Sequence, residues 1–431
     1  MQIRDSKLFV LSRRGTVQLI ELFVLSLSLV IFFDQASHYF AWQMGKPLNP
    51  DVLEFVHATQ MDGFLYVNSD REPLHVFLLK LFLWWVPNQE QAIRVTTIAE
   101  SLFAIFCVFW GAKQLVGRVP ALLTVLLVGS NPVLAYYSVS GLRAPLYMGL
   151  VLLWAGLLGR LIRDKSSRLA IPCGVVGALL ILTRSYAAAY IGISLAGLLV
   201  FSCQNRRQLL RRQWRTFVSA TVTFAVLVLP DFIFRQKSHV SLDLNRMKQF
   251  EKTGSIILDG PPKKLETTNY IFQDRTLFDI CEQIGHNSVL YLTDYLPFFL
   301  DSLSFLIVFI PLGLLGAVLR RDFTVCLLAL SSLFPFIWVL GYDLEFPGSG
   351  VENRLVLHAY PLFVLLIMDT ISRLVIHIMR LLWIEAGVTE SRWSTNLKAQ
   401  LLPVPISAQS ASEGEGPDGP TPRIARSKCA K

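Results

Sequence analysis

The sequence predicts an all-α, polytopic membrane protein with about ten transmembrane helices and with interfacial helices in its first outer loop. Of its 431 residues, 53% are hydrophobic and only 16% are charged, whereas charged residues make up about 25% of a soluble domain. The mean hydropathy is +0.49, and apolar runs of about 18 or more residues recur along the chain. These observations exclude disordered, collagen-like and disulfide-stapled classes of protein.

The excess of basic over acidic residues is explained by membrane topology. The net charge is +9 at pH 7, but Lys and Arg cluster in short segments between the apolar runs, where such residues orient membrane helices. A nucleic-acid-binding protein would instead carry a basic patch on a soluble module, so no nucleic acid partner is expected. The cysteines and histidines show neither CxxC nor HExxH spacing. The sequence therefore assigns no cofactor with certainty, and dependence on a divalent metal stays open although no ligand motif for one is present.

The membrane domain is predicted to cover residues 17–371. Its first segment, Val17–Phe33, follows a basic stretch that places residues 1–16 in the cytoplasm. Polar residues rather than a small-residue cleavage site come next, so this segment is expected to remain as an anchor. The further predicted spans are Ala92–Ala112, Pro120–Tyr137, Leu146–Leu158, Leu169–Leu182, Tyr186–Ser202, Thr216–Phe234, Ser302–Leu319, Phe323–Gly341 and Val356–Ile371.

The segment Pro73–Val86 is apolar but has only about 14 residues, which is short for a span. If it does not cross, the basic clusters between the spans all face the cytoplasm; if it crosses, they all face outward, against the positive-inside rule. We therefore predict a helix in the outer interface, with Trp84 and Trp85 at headgroup level. The outer face then holds a first loop at residues 34–91 and a long loop at residues 235–297, and residues 386–431 form a cytoplasmic, largely disordered tail.

The first outer loop carries acids that are candidates for proton transfer. Asp51 and Glu54 lie one turn apart on a short amphipathic helix predicted to begin at Pro50. The same pattern fits a solvated helix start, whose acids are favoured by the helix dipole. Asp34, immediately after the first span, is the alternative acid.

The outer segments also supply candidate ligands for an anion. A single arginine beside an apolar segment is more often a snorkelling residue than a ligand-binding one. Because the positive-inside rule disfavours arginines on the outer side, several of them there indicate an anionic ligand. The candidates for phosphate and donor binding are Arg71, Glu72, Tyr137, Arg184, Arg354 and His358.

These motifs occur in an order that resembles the C-type glycosyltransferase superfamily, and within it the branch of protein O-mannosyltransferases and lipid A aminoarabinose transferases. The resemblance covers residues 17–371. Two departures are Glu72-Pro73-Leu74 in place of a double proline, and Arg143 where many members have an acid. The matching motifs are Asp51-x-x-Glu54 with Ala58 and Gly63, Arg71-Glu-Pro-Leu74, Tyr137-Ser138 near Arg143, Leu182-Thr-Arg184, and Glu352-Asn-Arg354 before Tyr360-Pro361.

The resemblance implies an enzyme that moves a sugar from a polyprenyl-phosphate carrier to a glycan, lipid or protein acceptor on the outer face, with inversion of the anomeric centre. It maps the family's base onto Asp51, and arginines such as Arg71, Arg184 or Arg354 would hold the departing phosphate. A plasma or bacterial inner membrane is favoured over the endoplasmic reticulum. Membrane lipids are the remaining expected partners.

Other functions remain open from the sequence. A transporter or flippase of an anionic lipid or solute is favoured by the outward arginines and by Arg94 and Glu100 within or beside a span. We nevertheless expect Glu100 to pair with a cation of a neighbouring helix for structural reasons. A polymerase or ligase of lipid-linked glycans could use the same outer arginines and the long outer loop. A noncatalytic scaffold is a third alternative, and it predicts that substitutions of Asp51, Arg71 and Arg354 are harmless to function.

Overall fold

The protein is a helical membrane protein, as the sequence predicted. A computed structural model describes residues 2–46, 50–60, 73–164, 167–201, 218–233, 276–320, 324–334 and 356–385. Within these ranges the chain is helical apart from short turns, and no strand occurs. The helices are α1 (Gln2–Gln43), α2 (Pro50–Thr59), α3 (Pro73–Leu83), α4 (Gln89–Val116), α5 (Arg118–Gly129), α6 (Pro132–Ser138), α7 (Ala144–Asp164), α8 (Ala170–Thr183), α9 (Ala187–Phe201), α10 (Val218–Ile233), α11 (Leu277–Leu290), α12 (Phe309–Arg320), α13 (Thr324–Leu333) and α14 (Tyr360–Glu385).

The described parts of the predicted spans are largely helical, and the polytopic class is confirmed. The number of about ten spans stays a prediction. Among the described residues, five helical stretches are long and apolar enough to cross a bilayer, and the bent pair α5 and α6 makes a sixth. The shorter apolar helices α8, α9, α10 and α13 lie within the remaining predicted spans. Both helices predicted in the first outer loop are present as α2 and α3.

Helix α1 is longer than predicted and ends at Gln43 rather than Phe33. Neither Gly nor Pro interrupts the sequence between Val17 and Gln43, and the helix stops just before Gly45, whose φ is +76°. Asp34 therefore lies inside α1 and not in a loop. The first outer loop begins about ten residues later than the hydropathy pattern indicates.

The predicted span Pro120–Tyr137 is two helices, α5 and α6, with a bend of 60° between them. Asn131 produces this break, because its side-chain oxygen accepts hydrogen bonds from the backbone of Val133 (2.8 Å) and Leu134 (3.1 Å) and so begins a new helix. Its side-chain nitrogen donates to the carbonyl of Phe299 (2.5 Å). This bond ties the bend to the segment before α12.

The predicted long loop at residues 235–297 is partly helical. A capping box of Thr276 and Asp279 begins α11, and the chain then stays helical to Arg320 through a π turn at Tyr291–Tyr295 and a 3-10 stretch at Asp301–Val308. Asp301, with a φ of +49°, marks the break within this stretch. The remaining part of that loop lies outside the described residues, as does the predicted tail at 386–431.

Helices α4 and α7 form the centre of the bundle. A Cβ atom added to Gly156 would lie 2.6 Å from the Cα of Gly111, and one added to Gly149 would lie 2.5 Å from the Cα of Ala104. Small residues at these positions let the two backbones approach closely, as in other membrane helix pairs. Both helices are thereby held in register, which positions the side chains at their ends.

The two ends of this pair differ in character. At one end, Lys113 and Arg118 bind the Glu21 carboxylate at 2.6 and 3.1 Å, and Arg163 donates to the Gln114 carbonyl at 2.5 Å. We call this the basic end, and the positive-inside rule predicts that it faces the cytoplasm. Helices α2 and α3, which the sequence predicts to be interfacial, pack at the opposite end, with Trp84 and Trp85 exposed after α3.

Candidate functional site

Helix α2 brings Asp51 and Glu54 to the end of the bundle opposite the basic end. Val52, Phe55 and Ala58 recur at helical spacing and are buried, so they dock the helix on its neighbours. The turn that follows α6 holds it from the other side, because a Cβ atom at Gly141 would lie 2.8 Å from a Val52 methyl group. The backbone of α2 is described, but the side chains of Asp51 and Glu54 are outside the described residues.

A buried pair of ionisable residues, His75 and Glu100, packs against α2. Nδ1 of His75 in α3 lies 2.8 Å from Oε1 of Glu100 in α4, and both side chains are almost completely buried. The His75 ring packs edge-on against Phe55, with 4.7 Å between ring centroids. Glu100 therefore pairs with a basic residue of a neighbouring helix, as the sequence analysis expected, and the partner is His75 of α3.

Arg143 also contacts α2, through the same Phe55 ring that packs against His75. Its guanidinium carbon is 5.0 Å from the centre of the Phe55 ring, a distance at which a cation is attracted to the face of an aromatic ring. Arg143 also accepts, through its carbonyl, the backbone hydrogen bond of Tyr147 at 3.1 Å. The start of α7 thus connects the acid-bearing helix to the next group of residues.

Arg184, Tyr147, Tyr186 and His358 form a compact group that we call the tyrosine cluster. The Arg184 guanidinium carbon lies 5.5 Å from the centre of the Tyr147 ring and 5.4 Å from that of Tyr186, and Arg184 donates to the Tyr186 hydroxyl. The His358 and Tyr147 ring centroids are 4.9 Å apart. Tyr147, Arg184 and His358 are all buried, so this cation lies in a region of low dielectric constant, where it acts strongly on an anion.

Local structure explains why these side chains meet. Arg184 caps α8 in an extended conformation, which turns the chain into α9. His358 lies in the 3-10 turn Leu357–Ala359 before α14, and its Nε2 donates to the Ser332 carbonyl of α13 at 2.7 Å. That bond leaves Nδ1 as an acceptor in the neutral ring, or as a second donor when the ring is protonated. The cluster is built from the ends of α7, α8, α13 and α14.

A second buried arginine at this end has a different environment. Arg94 donates to the Gln43 side chain (2.7 Å), the Gln43 carbonyl (2.9 Å), the Val139 carbonyl (2.8 Å) and the Glu90 carboxylate (2.8 Å). We call this group the arginine hub. It ties the end of α1 and the turn after α6 to α4. Its partners are groups of the protein itself, so its role is structural.

The remaining predicted site residues have separate positions. Tyr137 is buried in α6 and packs edge-on against Tyr136, which in turn contacts Tyr39 of α1. Asp34 is exposed on α1, with its carboxylate 3.9 Å from the His38 ring. Arg71, Glu72 and Arg354 lie outside the described residues. Within the described ranges, no group of three His, Cys, Asp or Glu residues could hold a metal ion.

The structure brings together two of the predicted donor-binding residues, Arg184 and His358. Tyr147, which the sequence analysis did not identify as a site residue, lies between them. Tyr147 contacts both of them. The signal available in the sequence was weak: Tyr147 stands one turn after Arg143 at the start of an apolar segment, where tyrosine is common at a membrane interface. Only its complete burial in the fold distinguishes it from an interface residue.

Comparison with known proteins agrees with this architecture. Residues 70–234 match the family model described as dolichyl-phosphate-mannose-protein mannosyltransferase. No curated protein sequence matches the chain at a significant level. The matching range begins at the predicted motif of Arg71 and Glu72 and includes Tyr147 and Arg184, but not α2 or His358.

Several solved structures share the fold. ArnT from Cupriavidus metallidurans, solved with undecaprenyl phosphate, is 13% identical and aligns over 82% of this chain and 60% of its own, with a TM-score of 0.55. The oligosaccharyltransferase of Archaeoglobus fulgidus in its apo form is 12% identical and aligns over 86% of this chain and 52% of its own, with a TM-score of 0.54. The same enzyme tethered to an acceptor peptide with the NVT sequon gives a TM-score of 0.51 at 12% identity, over 91% of this chain and 53% of that one.

The chain thus spans between half and two-thirds of the length of these structures, and at such low identity the likeness establishes the fold. The family model and the fold point to the same group of proteins as the order of motifs in the sequence. The predicted resemblance to the C-type glycosyltransferase superfamily is therefore confirmed.

Proposed function

We propose that this protein is an integral-membrane glycosyltransferase that moves a sugar from a polyprenyl-phosphate carrier to an acceptor on the outer face. One observation supports the proposal above all. The helix that carries Asp51 and the cluster that carries Arg184 meet at the start of α7, at the end of the bundle opposite the basic end. The fold shared with ArnT, which was solved with undecaprenyl phosphate, agrees with a lipid-phosphate donor.

The chemistry of the transfer suits these residues. An acceptor hydroxyl or amine attacks the anomeric carbon of the sugar, and Asp51 takes the proton that the acceptor loses. The bond between that carbon and the phosphate oxygen breaks, and its electron pair leaves with the polyprenyl phosphate. Arg184 holds the charge of the leaving group through charge-assisted hydrogen bonds. A direct displacement of this kind inverts the anomeric configuration.

The rival function, transport of an anionic lipid, lacks a comparable observation. The sequence favours it through the outward arginines and through Arg94 and Glu100, which an ion pathway would use. Arg94 is held by the arginine hub and Glu100 pairs with His75, so both have a structural explanation. We place the protein in a plasma or bacterial inner membrane, with a peptide, a glycan or a lipid as its acceptor.

The test measures polyprenyl phosphate released from labelled polyprenyl-phosphate sugars in proteoliposomes, with membrane extract as the source of acceptor. This readout does not require the acceptor to be known. We expect Asp51→Asn to reduce release about 10²- to 10⁴-fold, the usual contribution of a general base, without a change in thermal stability. Mass measurement of the glycosylated product shows whether one sugar or a preassembled glycan is moved.

Asp34→Asn is the matched control, since it neutralises the exposed alternative acid on α1. It should retain activity. Loss of activity in Asp34→Asn with full activity in Asp51→Asn would transfer the role of base to Asp34. Labelled lipid that crosses the bilayer of proteoliposomes without any sugar transfer would replace the proposed function by transport.

A further inference from the structure

The Tyr147 hydroxyl is a buried polar group without a partner. Its residue is 1% exposed, and its oxygen makes no hydrogen bond with any part of the chain that the structure describes. Buried hydroxyl groups in native proteins are hydrogen-bonded in the large majority of cases, so an exception calls for an explanation. A ligand that is bound during the reaction would provide the missing acceptor.

The surroundings of Tyr147 indicate what kind of ligand this is. The buried Arg184 guanidinium lies 5.5 Å from the centre of the Tyr147 ring, so an acceptor near this hydroxyl experiences a nearby positive charge. The neighbouring Tyr186 hydroxyl already accepts a hydrogen bond from Arg184, whereas that of Tyr147 does not. A hydroxyl donor beside a cation matches an anionic oxygen better than a neutral sugar hydroxyl.

We propose that Tyr147 is a ligand of the carrier's phosphate group, to which its hydroxyl donates a hydrogen bond next to Arg184. This inference rests on the proposed function. Tyr147 keeps its proton throughout, and no bond to it forms or breaks. As the sugar departs, negative charge grows on the phosphate oxygens, and the hydrogen bond strengthens in the transition state.

Tyr291 provides a comparison within the same protein. It is also completely buried, and its hydroxyl likewise lacks a hydrogen-bond partner among the described residues. Its ring packs against Phe363 and Tyr295, and no cation lies over it in the described part of the chain. The two tyrosines therefore share burial and an unpaired hydroxyl, and they differ in the arginine and histidine beside Tyr147.

The experiment compares Tyr147→Phe with Tyr291→Phe, each of which removes one oxygen atom. Both variants should unfold at the same temperature as the unmodified protein or at a higher one, because an unpaired buried hydroxyl is lost. Tyr147→Phe should bind a short prenyl phosphate about 10- to 100-fold more weakly, the range for one hydrogen bond to a charged group. Its binding of the corresponding prenol should not change, and Tyr291→Phe should bind both ligands normally.

Two failures can be told apart. If the unmodified protein prefers the prenyl phosphate over the prenol and Tyr147→Phe does so equally well, the assignment of Tyr147 is overturned and the proposed function stands. An equal loss in Tyr291→Phe would also overturn the assignment. If the unmodified protein does not distinguish the two ligands, the proposed function itself fails.

Discussion

The arginine hub and the tyrosine cluster are two groups of buried polar residues at the same end of the bundle, and they differ in how completely their hydrogen bonds are formed within the protein. Arg94 donates to four oxygen acceptors that belong to Gln43, Val139 and Glu90. In the tyrosine cluster, Tyr147 has a buried hydroxyl with no acceptor among the described residues. A buried group whose partners all come from the chain stabilises the fold, whereas one that lacks a partner is a candidate for ligand binding.

The largest expected effect on stability comes from the arginine hub. Arg94→Met leaves the buried Gln43 side-chain oxygen and the Val139 carbonyl without this donor. It should lower the free energy of unfolding by about 1–3 kcal/mol for each of these two acceptors. Denaturant unfolding in detergent measures this change. Arg118→Met at the basic end is the control, because Arg118 is 43% exposed. Equal free energies of unfolding for the two variants would contradict the structural role assigned to the arginine hub.

Breaking the pair of His75 and Glu100 should have an intermediate effect on stability. Glu100→Leu leaves Nδ1 of His75 buried without an acceptor, at a cost of about 1–3 kcal/mol of unfolding free energy. Glu100→Gln keeps an oxygen at the same place and should lose less. Because Phe55 rests on His75, the leucine variant should also reduce sugar transfer. Identical melting curves for both variants would contradict the pairing.

The tyrosine cluster should respond mainly in activity. Arg184→Lys keeps a positive charge but loses the planar fork that fits a phosphate. We expect the rate of polyprenyl phosphate release to fall about tenfold, which corresponds to about 1.4 kcal/mol, with a smaller effect on unfolding than Arg94→Met. A variant that is unstable and yet fully active per folded molecule would show that Arg184 resembles Arg94 rather than a ligand.

The smallest effect is expected at the basic end. Lys113→Ala removes one of the two cations that bind Glu21, and Arg118 remains 3.1 Å from that carboxylate. Partly exposed ion pairs contribute about 0–1 kcal/mol, so the melting temperature should hardly change and transfer should be retained. A large loss of activity would place part of the site at this end of the bundle.

The sequence predicted the parts of the molecule that depend on local patterns. Apolar runs located helices within the described residues, and helices α2 and α3 are present where interfacial helices were predicted. It did not locate the end of α1, because polar residues after Phe33 indicated a loop although nothing in them breaks a helix. The bend between α5 and α6 was missed because the run is apolar throughout and was predicted as one helix. A single Asn-Pro step within the run ends the first helix and begins the second.

The candidate site was only partly predictable. Arg184 and His358 were chosen as candidates because charged residues beside spans are costly and therefore informative, and the structure places them close to each other. Glu100 was expected to have a basic partner, but His75 could not be named, because the choice depends on how α3 packs across α4. Tyr147 was missed, since its burial arises from four helix ends that are distant in the chain.

Composition and periodicity by themselves determined that this chain is a helical membrane protein, and the distribution of Lys and Arg predicts which end of the bundle faces the cytoplasm. These properties depend on the energy of single segments in a bilayer, which a linear pattern encodes. Only the tertiary structure decided that Arg94 belongs to a closed hub while Arg184 stands beside an unpaired hydroxyl. That difference depends on which groups meet when the helices pack, and contacts between distant residues cannot be seen in local sequence.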